Sequence, residues 1–321
     1  RWCWLGTEQH WYDFGDNTLE EVLELCNKNS DGNNVEEYRV MTKTLDTLVE
    51  DVYKLMKTKN TSKDVDTEEE IEKFGEAMKT LMRQEFLPNQ RNFSSRGGLR
   101  LSSIGKPDLQ QWYASKKFSG EKIQPATLIK FMYGHMIEEM VLFFVRLSGH
   151  QVTDEQKECV VGGVKGHMDC KIDGVVVDVK STTPFGFKKF KDGTLAADDN
   201  FGYVDQIKAY AHAEGERKWA WLAMDKQSGA LCVLEYDLDD TKHPMYDQYS
   251  GDIEDRIAHV KKSVEGEERP SLCAEPVPDG KSGNLKLPTI CSYCQYKRHC
   301  HPDLRTFIYS TGPRYLTTVN K

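Results

Sequence analysis

The stretch GHMDCKIDGVVVDVKST, from Gly166 to Thr182, constrains this chain more than any other. Its valines have the β-branched, apolar make-up of a buried strand, yet Asp178 and Lys180 stand among them. Side chains alternate across a strand, so Val175, Val177 and Val179 share one face while Val176, Asp178 and Lys180 share the other. Upstream, Asp173-Gly174 is a preferred pair for a two-residue hairpin turn, because both central residues need positive φ. With that turn Ile172 faces Val175, and counting outward sets Asp169 opposite Asp178 and His167 opposite Lys180. Directly opposed side chains have Cβ atoms about 4.5–5.5 Å apart, where like charges repel. A hard divalent cation relieves this: Mg²⁺ (or Mn²⁺) takes oxygen ligands and needs only one or two carboxylates, with water and a substrate phosphate supplying the rest. Lys180 would then steady charge on an attacking water or on the phosphate. The pattern points to phosphodiester hydrolysis. The alternative is an edge hairpin whose polar face merely meets water.

Composition narrows the class. At 321 residues the chain is long enough for roughly two domains, or for one domain with a large extension. Charged residues make up 29%, and no apolar run approaches the roughly 18 residues of a membrane span, so the expectation is a soluble protein with no membrane partner. The chain starts at Arg1, and RWCWLGTEQHWYDF lacks the plan of a secretory signal, which points to a trimmed chain that is not exported. A net charge of -8 gives no global attraction to nucleic acid, so any such binding needs a local basic groove. Nine cysteines, an odd number and mostly scattered, suit a reducing compartment better than a disulfide scaffold, and the expected location is cytoplasmic.

Periodicity divides the chain into three parts: a helical region over 1–95, an α/β core over 96–265 and a cysteine-bearing tail over 266–321. In the first, Val35, Tyr38, Met41, Leu45, Leu48, Val52 and Leu55 form a helix stripe. Thr67 with Glu70 reads as a capping box before Ile71, Phe74, Met78 and Leu81, and Pro88 closes that segment. In the core, 124–149 reads as a long apolar helix, 158–165 and 167–181 as strands, and YVDQIKAYAHAEG as a second helix. WAWLAMD and ALCVLEY, parted by KQSG, read as a hairpin, and MYDQYSGDIEDRIAHVKKSVE as one more helix. Helix, strands, helix, strands is an α/β order with a mixed sheet. In the loop expected at TPFGFKKFKDG, Lys188, Lys189 and Lys191 alternate with Phe185, Phe187 and Phe190; such a loop can track a nucleic-acid backbone, or it is simply solvated lysine over structural Phe. Arg96, Arg100, Lys116 and Lys117 are further candidates for that groove.

The tail carries CSYCQYKRHC, with Cys291, Cys294 and Cys300 in C-x2-C-x5-C spacing and Cys273 18 positions before the first. Two cysteines separated by two residues can put both thiolates on one metal, and a third nearby strengthens the reading. Thiolates suit Zn²⁺ or an iron-sulfur cluster equally. His299 and His301 are fallback ligands, with Cys3 and Cys26 behind them, while Cys159, Cys170 and Cys232 fall in expected strands and read as core.

Asp169 followed by Asp178-Val179-Lys180 on an apolar strand resembles the PD-(D/E)XK nuclease motif, in particular its RecB-type and lambda-exonuclease-like branch. Gly134-His135-Met136-Ile137-Glu138 is similar to the branch's first motif, in which the residue four after the glycine joins the metal site; Glu138 holds that place. Residues four apart share a helix face, so Gly134 would allow close approach to the sheet. Gln206 and Tyr210 match a Q-x3-Y element that, in the family, flanks the site and helps hold DNA. LRLSSIGKPDLQQWY resembles the segment before the first motif, but where iron-sulfur relatives have a cysteine and an arginine, this chain has Lys106, Pro107 and Asp108 after Gly105. The cysteine spacing is also that of the iron-sulfur relatives, so the resemblance favours a 4Fe-4S cluster over Zn²⁺ and leaves Cys273 as the fourth ligand. It implies a restriction-endonuclease-like core, with a central mixed β-sheet flanked by helices. The implied activity is a Mg²⁺-dependent DNA exonuclease in which Glu138, Asp169 and Asp178 hold the metal and Lys180 assists. A structure-specific or single-strand endonuclease, or a non-catalytic DNA-binding adaptor, are the alternatives. DNA is the implied partner, in a phage setting with recombination or replication proteins. A homo-oligomer is open, since related exonucleases close into rings. Residues 1–90 match no known segment.

Overall fold

The computed structural model describes residues 2–4, 11–13, 43–87, 98–310 and 312–320. A short hairpin, β1 (Trp2–Trp4) with β2 (Trp11–Asp13), is followed by helices α1 (Leu45–Thr58), α2 (Thr67–Phe86), α3 (Asp108–Ser115) and α4 (Pro125–Leu147). Strands β3 (Val152–Thr153), β4 (Glu158–Val161), β5 (Val164–His167), β6 (Cys170–Ile172) and β7 (Val175–Thr182) come next, then α5 (Pro184–Lys191) and α6 (Tyr203–Ala213). After β8 (Lys218–Asp225) and β9 (Leu231–Asp237) lie α7 (Tyr246–Tyr249) and α8 (Ile253–Glu265). The tail holds β10 (Val277–Pro278), β11 (Leu285–Lys286), α9 (Thr289–Ser292), α10 (Lys297–Cys300), β12 (Arg305–Tyr309) and β13 (Gly312–Thr318).

Five strands form the central mixed sheet, in the order β3-β6-β7-β8-β9, with β7 and β8 parallel and the other neighbours antiparallel. The valine run is β7, in the middle and covered on both faces, which is why it reads as nearly continuous apolar sequence. Val177 and Val179 pack with Leu222 under α1 and α4, through Leu45, Leu48, Val52, Ile137 and Val141. Val176 faces the other way, among Phe187 and Phe190 of α5, Ile207 and Tyr210 of α6, and Trp219 and Trp221 of β8. The α/β order expected from periodicity is present, and helix α1 carries the buried Leu45, Leu48, Val52 and Leu55; Val35, Tyr38, Met41 and Pro88 lie outside the described residues. No helix among the described residues is long and apolar enough to cross a membrane.

Local chemistry moved several boundaries. Helix α2 is capped by Asp66, whose carboxylate accepts from the N–H groups of Glu68 and Glu69 at 3.0 and 3.1 Å, so Thr67 is the first helical residue instead of the cap. Glu70, one turn in, pairs with buried Arg146 at 2.5 Å, and none of α2's apolar residues is buried. The long strands expected over 158–181 are four short ones. Strand pairing breaks at buried Met168 and at Asp169, and β5 turns back through Gly162-Gly163 to pair with β4 in a sheet of its own. His167 therefore pairs with Glu158 and not with Lys180. The lysine-rich TPFGFKKFKDG segment is helix α5 and not a loop, because Thr183 caps it by accepting from Gly186 N at 3.3 Å and Phe187 and Phe190 bury. The final core helix breaks at Ser250-Gly251, and Asp252 caps α8 anew, accepting from Glu254 and Asp255 N–H groups.

Candidate active site

The site begins with the turn. Asp173 and Gly174 have φ of 50° and 85°, and Ile172 pairs with Val175, Lys171 with Val176 and Cys170 with Val177. The strand pairing stops there, one residue short of the Asp169–Asp178 pair that the turn leads one to expect. Strand β6 starts only at Cys170, so β7 runs on past it to Thr182 without a strand partner on that edge. Asp169 fills the gap, its Oδ2 accepting from Val179 N at 2.8 Å.

Asp178 is 1% exposed. One oxygen accepts from Gln206 Nε2 on α6 at 3.3 Å. The other, Oδ2, lies 2.5 Å from Lys180 Nζ as an ion pair but in no hydrogen-bond geometry. Burial, then the neighbouring Asp178 and Glu138 charges, push the Asp169 carboxyl well above the usual carboxylate range. Burial also raises Asp178, against the opposing pull of Lys180. Burial works against the Lys180 ammonium, but Asp178 and Asp169 hold its pKa above the ordinary value; the side chain is 17% exposed, and Nζ sits 4.8 Å from the centre of the Tyr203 ring. Asp169, Asp178 and Glu138 thus face a single ammonium at Lys180, and the site has an excess of negative charge in a low-dielectric setting.

Glu138 projects from α4 and is close enough for its charge to act on both aspartates. Its oxygens are engaged elsewhere, Oε1 with Gln156 Nε2 at 3.3 Å and Oε2 with His135 Nδ1 at 3.9 Å; that contact raises the pKa of the exposed His135. Among the described residues no group of three or more His, Cys, Asp or Glu side chains is arranged to hold a metal ion. A Mg²⁺ ion nevertheless fits the donor set, since two carboxylates suffice for it and the Asp178 Oδ2 is buried without a hydrogen bond. At Gly134 a Cβ would meet Ser181 Oγ at 3.6 Å, an ordinary contact, so close approach does not demand glycine there.

Other residues singled out from sequence fall differently. Tyr210 is 1% exposed, with its hydroxyl buried and unbonded, so its ring lies in the core beneath the carboxylates and out of reach of a DNA strand. Lys188 pairs with Asp192, and Lys189 pairs with Asp198 at 2.5 Å, both on or just after α5. Arg96 lies outside the described residues, and Lys116 pairs with Glu267. Two neighbours escaped the sequence reading. Asp199 accepts from the backbone N–H groups of Phe201, Gly202 and Val204 at the start of α6, and its charge reaches Asp178. A D-x-x-G sequence before an amphipathic helix is a start signal that could have found it. Gly202 in turn packs so tightly on Gly105 that a Cβ on either would collide with the other's backbone.

In the tail, Cys273, Cys291, Cys294 and Cys300 all line one small pocket with Pro107, Lys297 and His301. Burial and the neighbouring sulfurs push the Cys273 thiol up to about 11 and the Cys291 thiol up to about 12. The half-buried Lys106 ammonium, whose pKa burial lowers, is close enough for its charge to act on Cys294. His299 faces away, its Nε2 2.8 Å from Ser119 O. Cys159 and Cys170 are core residues and Cys232 is half-buried; Cys26 is outside the described residues.

No family model and no curated protein matches the chain. Among solved structures it is similar to an alkaline exonuclease (LHK-Exo) from Laribacter hongkongensis, with 12% identity over 51% of this chain and 91% of that one at a TM-score of 0.32. The same exonuclease in complex with dAMP gives 11% identity, 51% and 92% coverage and a TM-score of 0.31. SSO0001 gives 12%, 68% and 92%, with a TM-score of 0.37. Likeness at that level has no bearing on function. What stands is the geometry: a mixed α/β fold whose central strand carries Lys180 and buried Asp178, with half-buried Asp169 bonded to the same strand.

Proposed function

We propose that this protein is a Mg²⁺-dependent (or Mn²⁺-dependent) deoxyribonuclease of the PD-(D/E)XK type, acting as an exonuclease on linear DNA. One observation carries the reading: half-buried Asp169 and buried Asp178 lie close enough for their charges to act on each other, both are raised in pKa, and Lys180 is ion-paired beside them. Evolution tolerates such a destabilised cluster where it serves function. Asp169 and Asp178, with Glu138 beside them, are the residues that would hold the ion. Mg²⁺ supplies Lewis acidity, lowering the pKa of a bound water and neutralising phosphoryl oxygens. Lys180 keeps its proton and supplies positive charge at the reacting phosphate. Gln206 fixes the Asp178 carboxylate from α6. Asp169 stays oriented by Val179 N–H.

The test uses end-labelled linear and closed circular DNA, with Mg²⁺ or EDTA, for the wild type and Asp178→Ala. Loss of linear DNA alone, dependent on Mg²⁺ and on Asp178, is expected. Nicking of the circle would instead show an endonuclease, and survival of both would leave a DNA-binding adaptor. For the tail, we read the four cysteines that line one pocket as ligands of a 4Fe-4S cluster or Zn²⁺, which would have to gather them and displace the thiol protons. Freshly purified protein should be brown with a cluster and colourless with zinc, and metal analysis finding neither would refute the site.

A further inference from the structure

A row of aromatic rings leads away from Lys180. The ammonium lies over Tyr203, Tyr203 stacks on Phe201 with centroids 5.5 Å apart and planes 27° from parallel, and Phe201 meets Tyr293 at 5.7 Å. The row joins two distant parts of the sequence, the approach to α6 and the knuckle between Cys291 and Cys294. Exposure grows along it. Tyr203 is half-buried, Phe201 is 43% exposed and Tyr293 74%.

A ring whose task is to anchor the tail should be hidden, because burial is what stabilises the contact. Tyr296 does this three residues later, buried against Tyr113 and Trp112. Tyr293 leaves most of its ring in water, in line with the reactive centre. Of the acids beside the row, Asp198 is paired with Lys189, and Asp199 is held by backbone N–H groups at the start of α6. Exposed aromatic faces in sequence along a path from a phosphate site suit unpaired bases, whose π-faces are free; in a duplex those faces are already stacked.

We propose that Phe201 and Tyr293 form a stacking subsite for the unpaired bases of a single strand running from the phosphate at Asp178 and Lys180 onto the cysteine tail. This rests on the nuclease reading and narrows its substrate to a single strand or a frayed end. It also gives the tail a direct part in binding.

The test measures binding in EDTA, where no cleavage is needed, using the full chain and a single-stranded oligonucleotide carrying the fluorescent base 2-aminopurine, with a blunt duplex as competitor. Binding should change the fluorescence, and Tyr293→Ala should weaken single-strand affinity by about 5- to 150-fold, the range that base–aromatic stacking supplies. Phe201→Ala should act in the same direction, and Tyr293→Phe should bind like the wild type. Unchanged affinity in both alanine variants, or a wild type that prefers the blunt duplex, overturns the proposal. So does a Tyr293→Ala protein that melts earlier but keeps the full fluorescence change per bound strand, which would mark Tyr293 as structural. A wild type that stacks the base yet cuts neither linear nor circular DNA with Mg²⁺ sinks the nuclease reading alone. Cleavage without any fluorescence response sinks the stacking subsite alone.

Discussion

Asp169 and Asp178 share a site where each would be more stable neutral. A carboxyl whose folded pKa lies above its unfolded value binds its proton more tightly in the native state. Its stabilising contribution is complete below the unfolded value of about 3.8 and is lost as pH rises through the folded value. Metal-free protein should therefore lose stability as pH climbs from about 4 toward neutrality. Asp169→Asn should flatten that slope and melt higher than the wild type at pH 7 in EDTA, by ~2–4 °C for each kcal/mol of repulsion removed. The same variant should lose at least about 100-fold in cleavage, since even groups that only support a metal ligand cost up to that much. Thermal melts against pH, paired with nuclease assays, check both halves. A variant both less stable and fully active would contradict the assignment of the pair.

At the scale of elements, the core around the site depends on a turn and on an ion-pair cluster between two helices. Gly174 sits at φ 85°, where a side chain with a Cβ costs roughly 1–2 kcal/mol. Gly174→Val should lower the melting temperature by several degrees, and because the turn sets the register of β6, which follows Asp169, against β7, which carries Asp178, activity should fall with it. The second element-level device is Asp108, at the start of α3, which receives Arg256 at 2.8 Å and His259 at 2.6 Å from α8. Burial opposes its charge, but the bonds from His259 and Arg256 hold its carboxyl below the ordinary 3.8. A depressed folded pKa stabilises above the unfolded value and fails as pH falls through the folded one. Wild type should thus lose stability below about pH 3.8 more steeply than Asp108→Asn, which acid-unfolding curves of the two will show. The capping-box reading at Thr67 failed for a related reason: Asp66, one residue earlier, offers a better acceptor, and Glu70 is drawn off by Arg146.

Across the whole molecule, the helical segment that sequence alone set apart from the core shares that core. Leu48 of α1 is fully buried in the same cluster as Val177, Val179 and Leu222, the face of the sheet opposite the carboxylates. Leu48→Ala should cost about 2–5 kcal/mol, seen as a lower midpoint in chemical unfolding of the entire domain. A local loss confined to α1, with the sheet unaffected, would mean that this helix is only loosely docked. The tail meets the active-site side of the molecule through Phe201 and Tyr293, so the sheet is served from both ends of the chain.

The sequence by itself determined the alternation of β7, the two-residue turn and the register of Cys170 to Ile172 against Val175 to Val177, because strand period and turn geometry are local. It also marked the cysteines that share one pocket. Only the tertiary structure decided that Tyr210 is buried and that His167 turns away. The same holds for the pairing of Lys188 and Lys189 with nearby acids. Those outcomes depend on which surfaces meet: α6 packs its Tyr210 into the core against the sheet, and the turn at Gly162-Gly163 lets β5 pair with β4. Periodicity specifies which face a side chain takes, and packing decides what that face is pressed against.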